Sequence, residues 1–525
     1  MKLENKIATL YKENNISTLE EDYMEILDTT LRDGEQTEGV AFPKQEKLAI
    51  AKKLLELGVH RIEIASAGTT TKESEAVKSI CSWAKENNYL ESIEVLAFVN
   101  EQSIDWIYET GCRTANLLCK GSLKHTEKQL KKTKEQHLED IKRTIQYAKS
   151  KGIKVNVYLE DWSNGMIDSK DYVYYMLKEI QEQGIERIML PDTLGILSPE
   201  QTYTFIKEIK KHFPGKYDFH AHNDYGLATA NTVQAVLAGV NGIHTTINTL
   251  GERTGNTSLI EIAVVLKDLY NIDLKLDELS YQELSELVGE FSGKRLPYNA
   301  PIVGDNVMTQ TCGVHADGDK KAGLYQTKLT APGRFGKETT RYALGKNVGK
   351  ASIEMNLKEL GIDLTLEQIK TLRDEIAELG QRKEQITQAD LLFLIADLFE
   401  QPEMVPLRIL ECKIDADLNG ERKAHVKLDY KGEILTANAK GDGQYDAFMN
   451  ALRYIFKEKN IEIPELVDYR IDIPPGGRTS ALTQAFVGWK KDDNSLNTEG
   501  VETDQTFAAV KATEKMLNLI LRNDN

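Results

Sequence analysis

His220 and His222 stand two apart in "DFHAHNDYG", and Asp33 follows Arg32 in "EILDTTLRDGEQ". Residues two apart on a strand share a face, so both imidazoles can converge on one point. Two neutral imidazoles and one carboxylate suit a divalent ion such as Mn2+, Zn2+ or Mg2+. Taken singly, the pieces are ordinary: a His-x-His pair is common polar sequence, and Arg32 with Asp33 and Glu35 around Gly34 reads as a solvated turn. The metal chemistry depends on a fold that carries Asp33 to the histidines. Other apolar runs also end on polar groups, Glu160 and Asp161 in "VYLEDWSNG" and Asp192 and Thr193 in "MLPDTLG". Each has a plain reading as a helix cap or turn former. The glycine-interrupted "NTLGERTGNTSL" leads into an apolar helix, and its backbone N–H groups could hold phosphate or another anion.

The elements that must position these groups follow a repeated unit. Five times a helical pattern ends at a glycine and an apolar run follows, at Gly58, Gly111, Gly152, Gly184 and Gly239. Such a glycine fits the left-handed position just after a helix. Leu48, Ala51 and Leu55, then Val173, Met176 and Ile180, show helical spacing upstream of two of them. The runs are short and apolar, as strands of a helix-covered parallel sheet should be. With "MEILD", "IEVLAF" and "YDFHAH" they make eight strands between about Met24 and Asn248. Eight units predict an α/β fold, a closed (β/α)8 TIM barrel, with an open doubly wound sheet as the alternative. Either puts the chemistry at the C-terminal strand ends. In a closed barrel only strand eight separates strand seven from strand one, so Asp33 can reach the ion held by His220 and His222.

Composition narrows the class of partner. The 525 residues exceed one ordinary core, and the formal charge of −16, from 82 acidic and 66 basic residues, disfavours nucleic acid and anionic membranes. The five cysteines are scattered without CxxC spacing, which predicts reduced thiols in a cytoplasmic protein. The N-terminus lacks a secretory apolar core, and no run approaches the roughly 18 residues of a membrane span.

"DTTLRDGEQ", "HAHNDYG" and "TINTLGERTGNTSL" together resemble the acyl-CoA:2-oxoacid condensing enzymes, the 2-isopropylmalate, homocitrate and citramalate synthases. The first two motifs mark a wider superfamily of metal-dependent barrel lyases and carboxyltransferase domains. The third, with "CGVHADG" and the terminal "GVETDQTFAAVKATEKMLN", marks the synthases. The resemblance runs from about Glu25 to Leu521 and implies a Claisen condensation of acetyl-CoA with a 2-oxoacid, then thioester hydrolysis. It implies Asp33, His220 and His222 as metal ligands, with Asn256 a further one. Arg32 would stabilise the alkoxide, Thr193 hold the substrate carboxylate, and Glu160 position or deprotonate. His315 and Tyr325 would act near the thioester. Two positions depart from the family pattern: Thr249 stands where many relatives have a glycine, and "GKNVG" at Gly345 to Gly349 replaces "GKHSG".

The stretch "VYLEDWSNG" speaks to the choice of 2-oxoacid. Isopropylmalate synthases usually carry serine two residues before the glutamate, where this chain has Tyr158. Tyr158 shares a face with Glu160, and a tyrosine there leaves room for a methyl group but crowds an isopropyl group. The pattern is similar to citramalate synthases fed by pyruvate, in which leucines narrow the pocket, and Leu96 and Leu118 are the candidates here. The alternative, Tyr158 turned away as ordinary packing, leaves 2-oxoisovalerate and isopropylmalate synthesis open.

The expected organisation is a catalytic barrel over 1–274, a mainly helical linker subdomain over 275–404 that delivers His315 and Tyr325, and a C-terminal α+β regulatory domain over 405–525. The resemblance implies that His315 and Tyr325, which follow the barrel, serve a partner subunit's site, and hence a homodimer. "AKGDGQYDAFMNAL" puts two glycines before a helix, compatible with a small-ligand site, and the resemblance implies isoleucine as effector if pyruvate is the substrate. A metal-dependent lyase on the same barrel should lack both the His315 segment and the terminal domain. A silent regulatory paralogue should have lost Arg32, Glu160 or a histidine ligand.

Overall fold

Strands in the first half of the chain carry apolar residues at one set of alternate positions and mixed, often polar ones at the other. The physical reason appears when they pair. The computed structural model describes residues 24–68, 70–331, 333–336, 341–381, 386–417, 420–473, 482–491 and 494–523. Eight parallel strands close into a barrel: β1 (Glu25–Asp28), β2 (Arg61–Ser66), β3 (Ile93–Ala97), β4 (Thr114–Lys120), β5 (Lys154–Glu160), β6 (Ile188–Asp192), β7 (Tyr217–Ala221) and β8 (Gly242–Thr245). β1 pairs with β8 over its whole length, Glu25 opposite Gly242 and Asp28 opposite Thr245, which removes any sheet edge. The open-sheet alternative is thereby excluded. All five repeat glycines have positive φ, from 62° at Gly184 to 103° at Gly58, as a left-handed turn out of a helix demands. Helix starts are capped by side chains, Thr70 on the N–H of Glu73 and Ser198 in a reciprocal box with Gln201 ahead of Pro199.

The apolar set, including Ile62, Ile64, Val95, Leu117, Val157 and Ile243, packs outward among helix residues such as Leu54, Ile80, Ile141 and Ile206. The other set points into the lumen, which is a polar core. Deepest lies an ionic layer: Arg61 binds Glu94 at 3.0 Å and also Asp218, while Arg187 binds Asp218 at 2.8 Å and Glu25 at 2.6 Å. Gly242 makes this layer possible, because a Cβ there would collide with the Asp218 carboxylate. Above it Asn156 donates to Asn116 Oδ1, and Asn116 to Glu63 Oε1, both at 2.8 Å. Buried charge is costly unless paired, and here every carboxylate named has an arginine or amide partner.

The chain comprises two compact units. The first holds the barrel and extends to Met308, with Lys328–Thr339 returning to it. The second comprises Thr309–Thr327 and everything from Thr340 onward. Within the second, helices Lys350–Glu359, Leu366–Gln381 and Gln388–Leu398 share a core of Ile353, Leu372, Leu392 and Ile395. They are followed by two antiparallel sheets of three strands, Leu407–Asp415, Arg422–Tyr430 and Glu433–Gly441, then Glu465–Asp472, Thr483–Lys491 and Asn494–Glu502. Each sheet is succeeded by a long helix, Gln444–Glu458 and Gln505–Asn523, so one three-strand-plus-helix unit occurs twice. Phe448, Phe456, Trp489 and Leu517 fill their common core. Among the described residues no helix is long and apolar enough to cross a membrane, and the five cysteines are free thiols.

Candidate active site

The turn after β1 is not a surface turn. The Thr29 carbonyl gathers the backbone N–H groups of Arg32, Asp33 and Gly34, which bends the chain back over the barrel mouth. Lys47 locks the turn from below, its buried ammonium donating to the carbonyls of Leu31 and Ile64 and pairing with Glu35 and Glu73. Asp33 is consequently 1% exposed. The Arg32 guanidinium is held in three directions: Nε to Glu63 at 2.6 Å, Nη1 to Asp33 at 2.9 Å and Nη2 to the Tyr158 hydroxyl at 3.2 Å. A planar fork can meet three partners at fixed angles, which a lysine could not.

Asp33 Oδ2 lies 3.3 Å from His220 Nε2 and 4.0 Å from His222 Nε2, and the two Nε2 atoms are 3.3 Å apart. Asn256, bridged to His222 through the backbone, has its amide 3.1 Å from His220 Nε2. Either end of an amide can face that nitrogen after a half-turn, so its oxygen can point the same way. Burial would raise the Asp33 carboxyl, but Arg32 and the imidazoles outweigh it and hold it well below the usual carboxylate range. Burial lowers both histidines, His222 to about 4, so each imidazole is neutral with a lone pair to offer. Asp33 Oδ1, Asn256 Oδ1, His220 Nδ1 and His222 Nδ1 are buried without a protein partner. A carboxylate and two lone-pair nitrogens whose ligand atoms lie within 4.8 Å of one another, on side chains that also keep unpartnered buried polar atoms, fit a divalent ion.

Tyr158 is 2% exposed and projects into the lumen, its ring edge-on to His220 at 6.1 Å. Leu27, Leu96, Met189 and, partly buried, Leu118 pack with it in one small apolar cluster above the polar core. The three residues expected to narrow a pocket are therefore neighbours beside Arg32 and the histidines. Tyr158 is not turned away.

The rim carries the other expected groups. Glu160, at the end of β5, is partly exposed and pairs closely with the Lys120 ammonium. The Thr193 hydroxyl accepts the Asp161 N–H at 2.9 Å, where Asp161 has a φ of 64°. Arg253, in the loop after β8, makes a two-pronged pair with Asp224 and also donates to the Thr193 carbonyl. In the same loop Asn248, Thr249 and Arg253 all have positive φ, and Gly255 has no room for a Cβ against the Thr249 carbonyl. A cavity of about 450 Å3 opens beside this loop, lined by Asn223, Thr249, Ser258, Glu261, Pro297 and Asn299 among others. His315 and Tyr325 lie in the second unit, where their rings stack at 4.1 Å and His315 Nδ1 sits 3.0 Å from Gln310 Oε1.

Three lumen or rim groups escaped the sequence reading: Glu63, which orients Arg32; Lys120, which pairs with Glu160; and His244, which touches Tyr158. A signal was present, because Arg61 and Glu63, Asn116, Asn156, and Asp218 and His220 occupy the alternate positions of otherwise apolar strands.

The geometry agrees with what the chain resembles in sequence. The HMGL-like family matches residues 23–288, the homocitrate synthase post-HMGL domain-like family 302–384, and the LeuA allosteric (dimerisation) domain 385–521. A protein of Methanopyrus kandleri that bears the name (R)-citramalate synthase provisionally is 35% identical over 91% of this chain and 92% of its own. The (R)-citramalate synthase of Methanocaldococcus jannaschii is 33% identical over 94% of this chain and 99% of its own. The 2-isopropylmalate synthase of the same organism is also 33% identical, over 95% of each chain. Closed barrel, converging ligands and near full-length similarity agree: the chain belongs to the HMGL-like family, in the branch of the citramalate and 2-isopropylmalate synthases.

Proposed function

We propose that this member of an acyltransferase family condenses acetyl-CoA with pyruvate and hydrolyses the thioester, releasing (R)-citramalate and CoA. The observation that carries the reading is Tyr158 in the lumen, packed with Leu96 and Leu118 beside Arg32. Its ring takes the volume that a branched 2-oxoacid side chain needs, whereas a methyl group needs little.

When bound at Asp33, His220 and His222, with Asn256 a further ligand, a divalent ion (Mn2+, Zn2+ or Mg2+) supplies Lewis acidity and a template for the keto and carboxylate oxygens. Arg32 presents its remaining N–H groups to the keto oxygen and stabilises the alkoxide that forms as the new carbon–carbon bond is made. Thr193 holds the substrate carboxylate. A base removes one methyl proton of acetyl-CoA, and Glu160, kept at the rim by Lys120, is placed to assist. His315 and Tyr325, from the segment after the barrel, serve the thioester, where water replaces CoA. The cavity beside the loop after β8 offers a route for the cofactor's pantetheine arm. The enzyme is a cytoplasmic homodimer in which each His315 segment serves the partner's barrel, and its three functional segments fall at 1–274, 275–404 and 405–525. Isoleucine is the effector of the C-terminal domain.

A CoA-release assay with pyruvate, 2-oxobutyrate, 2-oxoisovalerate and 2-oxoglutarate tests the reading. Pyruvate should give the highest kcat/KM, and Tyr158→Ser should shift selection toward 2-oxoisovalerate by about 1–3 kcal/mol per methylene accommodated. Preference of the native enzyme for 2-oxoisovalerate would make it a 2-isopropylmalate synthase.

A further inference from the structure

The lumen holds a histidine that the reaction as derived does not use. His244, on β8, is buried; its Nδ1 lies 3.0 Å from the Tyr158 hydroxyl and its Nε2 3.3 Å from Asp218 Oδ2. Asp218 accepts from both Arg61 and Arg187, so it is ionised and offers no proton. The imidazole nitrogen that faces an acceptor-only group must carry the proton, which leaves Nδ1 with a bare lone pair. The Tyr158 hydroxyl therefore donates to Nδ1. Its single proton is then committed, and its oxygen is free to accept from Arg32 Nη2 at 3.2 Å. Glu63 Oε2 stands 3.4 Å from the same hydroxyl and already accepts Arg32 Nε at 2.6 Å. Deprived of His244, the hydroxyl proton would turn to Glu63 and compete with Arg32 for that oxygen.

We infer that His244 is a positioning residue for the condensation: it fixes the direction of the Tyr158 proton, makes the hydroxyl an acceptor for Arg32, and so sets the angle at which the guanidinium meets the 2-oxoacid. Tyr158 is then both a wall of the pocket and a strut for the cation. The inference rests on the role of Arg32 proposed above.

The test compares His244→Leu, His244→Asn, Tyr158→Phe and the double variant Tyr158→Phe/His244→Leu, with CoA release measured on whichever 2-oxoacid the native enzyme prefers. Loss of the acceptor should lower kcat by about tenfold or more in His244→Leu with a smaller change in KM. Asparagine places an oxygen near the position of Nδ1, so His244→Asn should recover most of that loss. The double variant should be no slower than Tyr158→Phe alone, because without the hydroxyl His244 has nothing to direct. Losses that multiply, or His244→Asn no better than His244→Leu, would reduce His244 to space-filling. Nitrogen resonances of histidine-labelled native protein, assigned by the signal missing in His244→Asn, read the tautomer without turnover. A bare Nδ1 and a protonated Nε2 are expected, and a proton on Nδ1 overturns the inference whatever the turnover of the variants. If the native enzyme releases CoA with none of the four 2-oxoacids, the proposed function fails while the tautomer still decides the role of His244.

Discussion

His220 and His222 are neutral because the lumen is too dry to charge them, and Asp33 is charged because Arg32 lies against it. Such a donor set should survive loss of one member as a fold but not as a binding site. His220→Ala is expected to bind Mn2+ at least about 100-fold more weakly in equilibrium dialysis and to release no CoA, with an unchanged far-ultraviolet spectrum. Arg32→Lys keeps the charge and loses the fork, so kcat should fall by more than about tenfold. Near-native turnover in either variant would remove that residue from the site. Asp28 predicts a pH effect of the opposite kind. Burial pushes its carboxyl up to about 6, in spite of hydrogen bonds from Thr30 and Thr245. A folded value above the unfolded value of about 3.9 means that the fold favours the proton. Its cost is absent below about pH 4 and reaches about 3 kcal/mol once the pH has risen past 6. Urea unfolding of Asp28→Asn and the native protein should therefore diverge between pH 4 and 7, the variant gaining relative stability as pH rises. Parallel curves would show that Asp28 titrates normally.

At the scale of elements, five of the eight strands are announced by two independent marks, a glycine that leaves the preceding helix and an apolar run, whereas β1, β3 and β7 are announced by the apolar run alone. That sufficed to place Asp33, Glu160, Thr193, His220 and His222 on one rim. The polar layers of the interior were harder to read than Tyr158, Leu96 and Leu118. Glu63, Glu94, Asn116, Asn156 and Asp218 at alternate positions look, in one dimension, like the wet face of an antiparallel sheet, and only closure turns that face inward. The strands Thr483–Lys491 and Asn494–Glu502 also escaped notice, since the first buries Thr483, Ala485 and Val487, with little contrast in side-chain size or polarity until Trp489. Thr249 shows the converse, a departure seen in sequence whose meaning is conformational. A β-branched residue at φ 58° is strained by about 1–2 kcal/mol, and glycine there returns part of this to unfolded-chain entropy. Thr249→Gly should raise stability by about 0.5–1 kcal/mol in chemical denaturation, and a loss would mean that the threonine side chain makes a contact worth more than the strain.

For the whole molecule, residues 385–521 match an allosteric and dimerisation domain, far along the chain from the residues of the barrel rim. An effector can inhibit from there only by binding one state of the enzyme better than another, and a coupling of about 1–3 kcal/mol suffices. Isoleucine should inhibit the intact enzyme more strongly than leucine, and truncation after Gln401 should abolish the response. Stronger inhibition by leucine would reassign the pathway, and inhibition by neither would leave the domain to dimerisation alone. The ionic layer of the lumen has a consequence of another sort. Arg61 on β2 binds Asp218, 157 residues later on β7, and Arg187, just before β6, binds Glu25, at the start of β1. Cut between β4 and β5, each half would keep one pair, Arg61 with Glu94 or Arg187 with Asp218, and lose the bridges from Arg61 to Asp218 and from Arg187 to Glu25 that close the layer. Half-barrels are thus poor resting places on the way to the native state, and the ring must be completed as one cooperative event, slow to begin because its decisive partners are so distant along the chain.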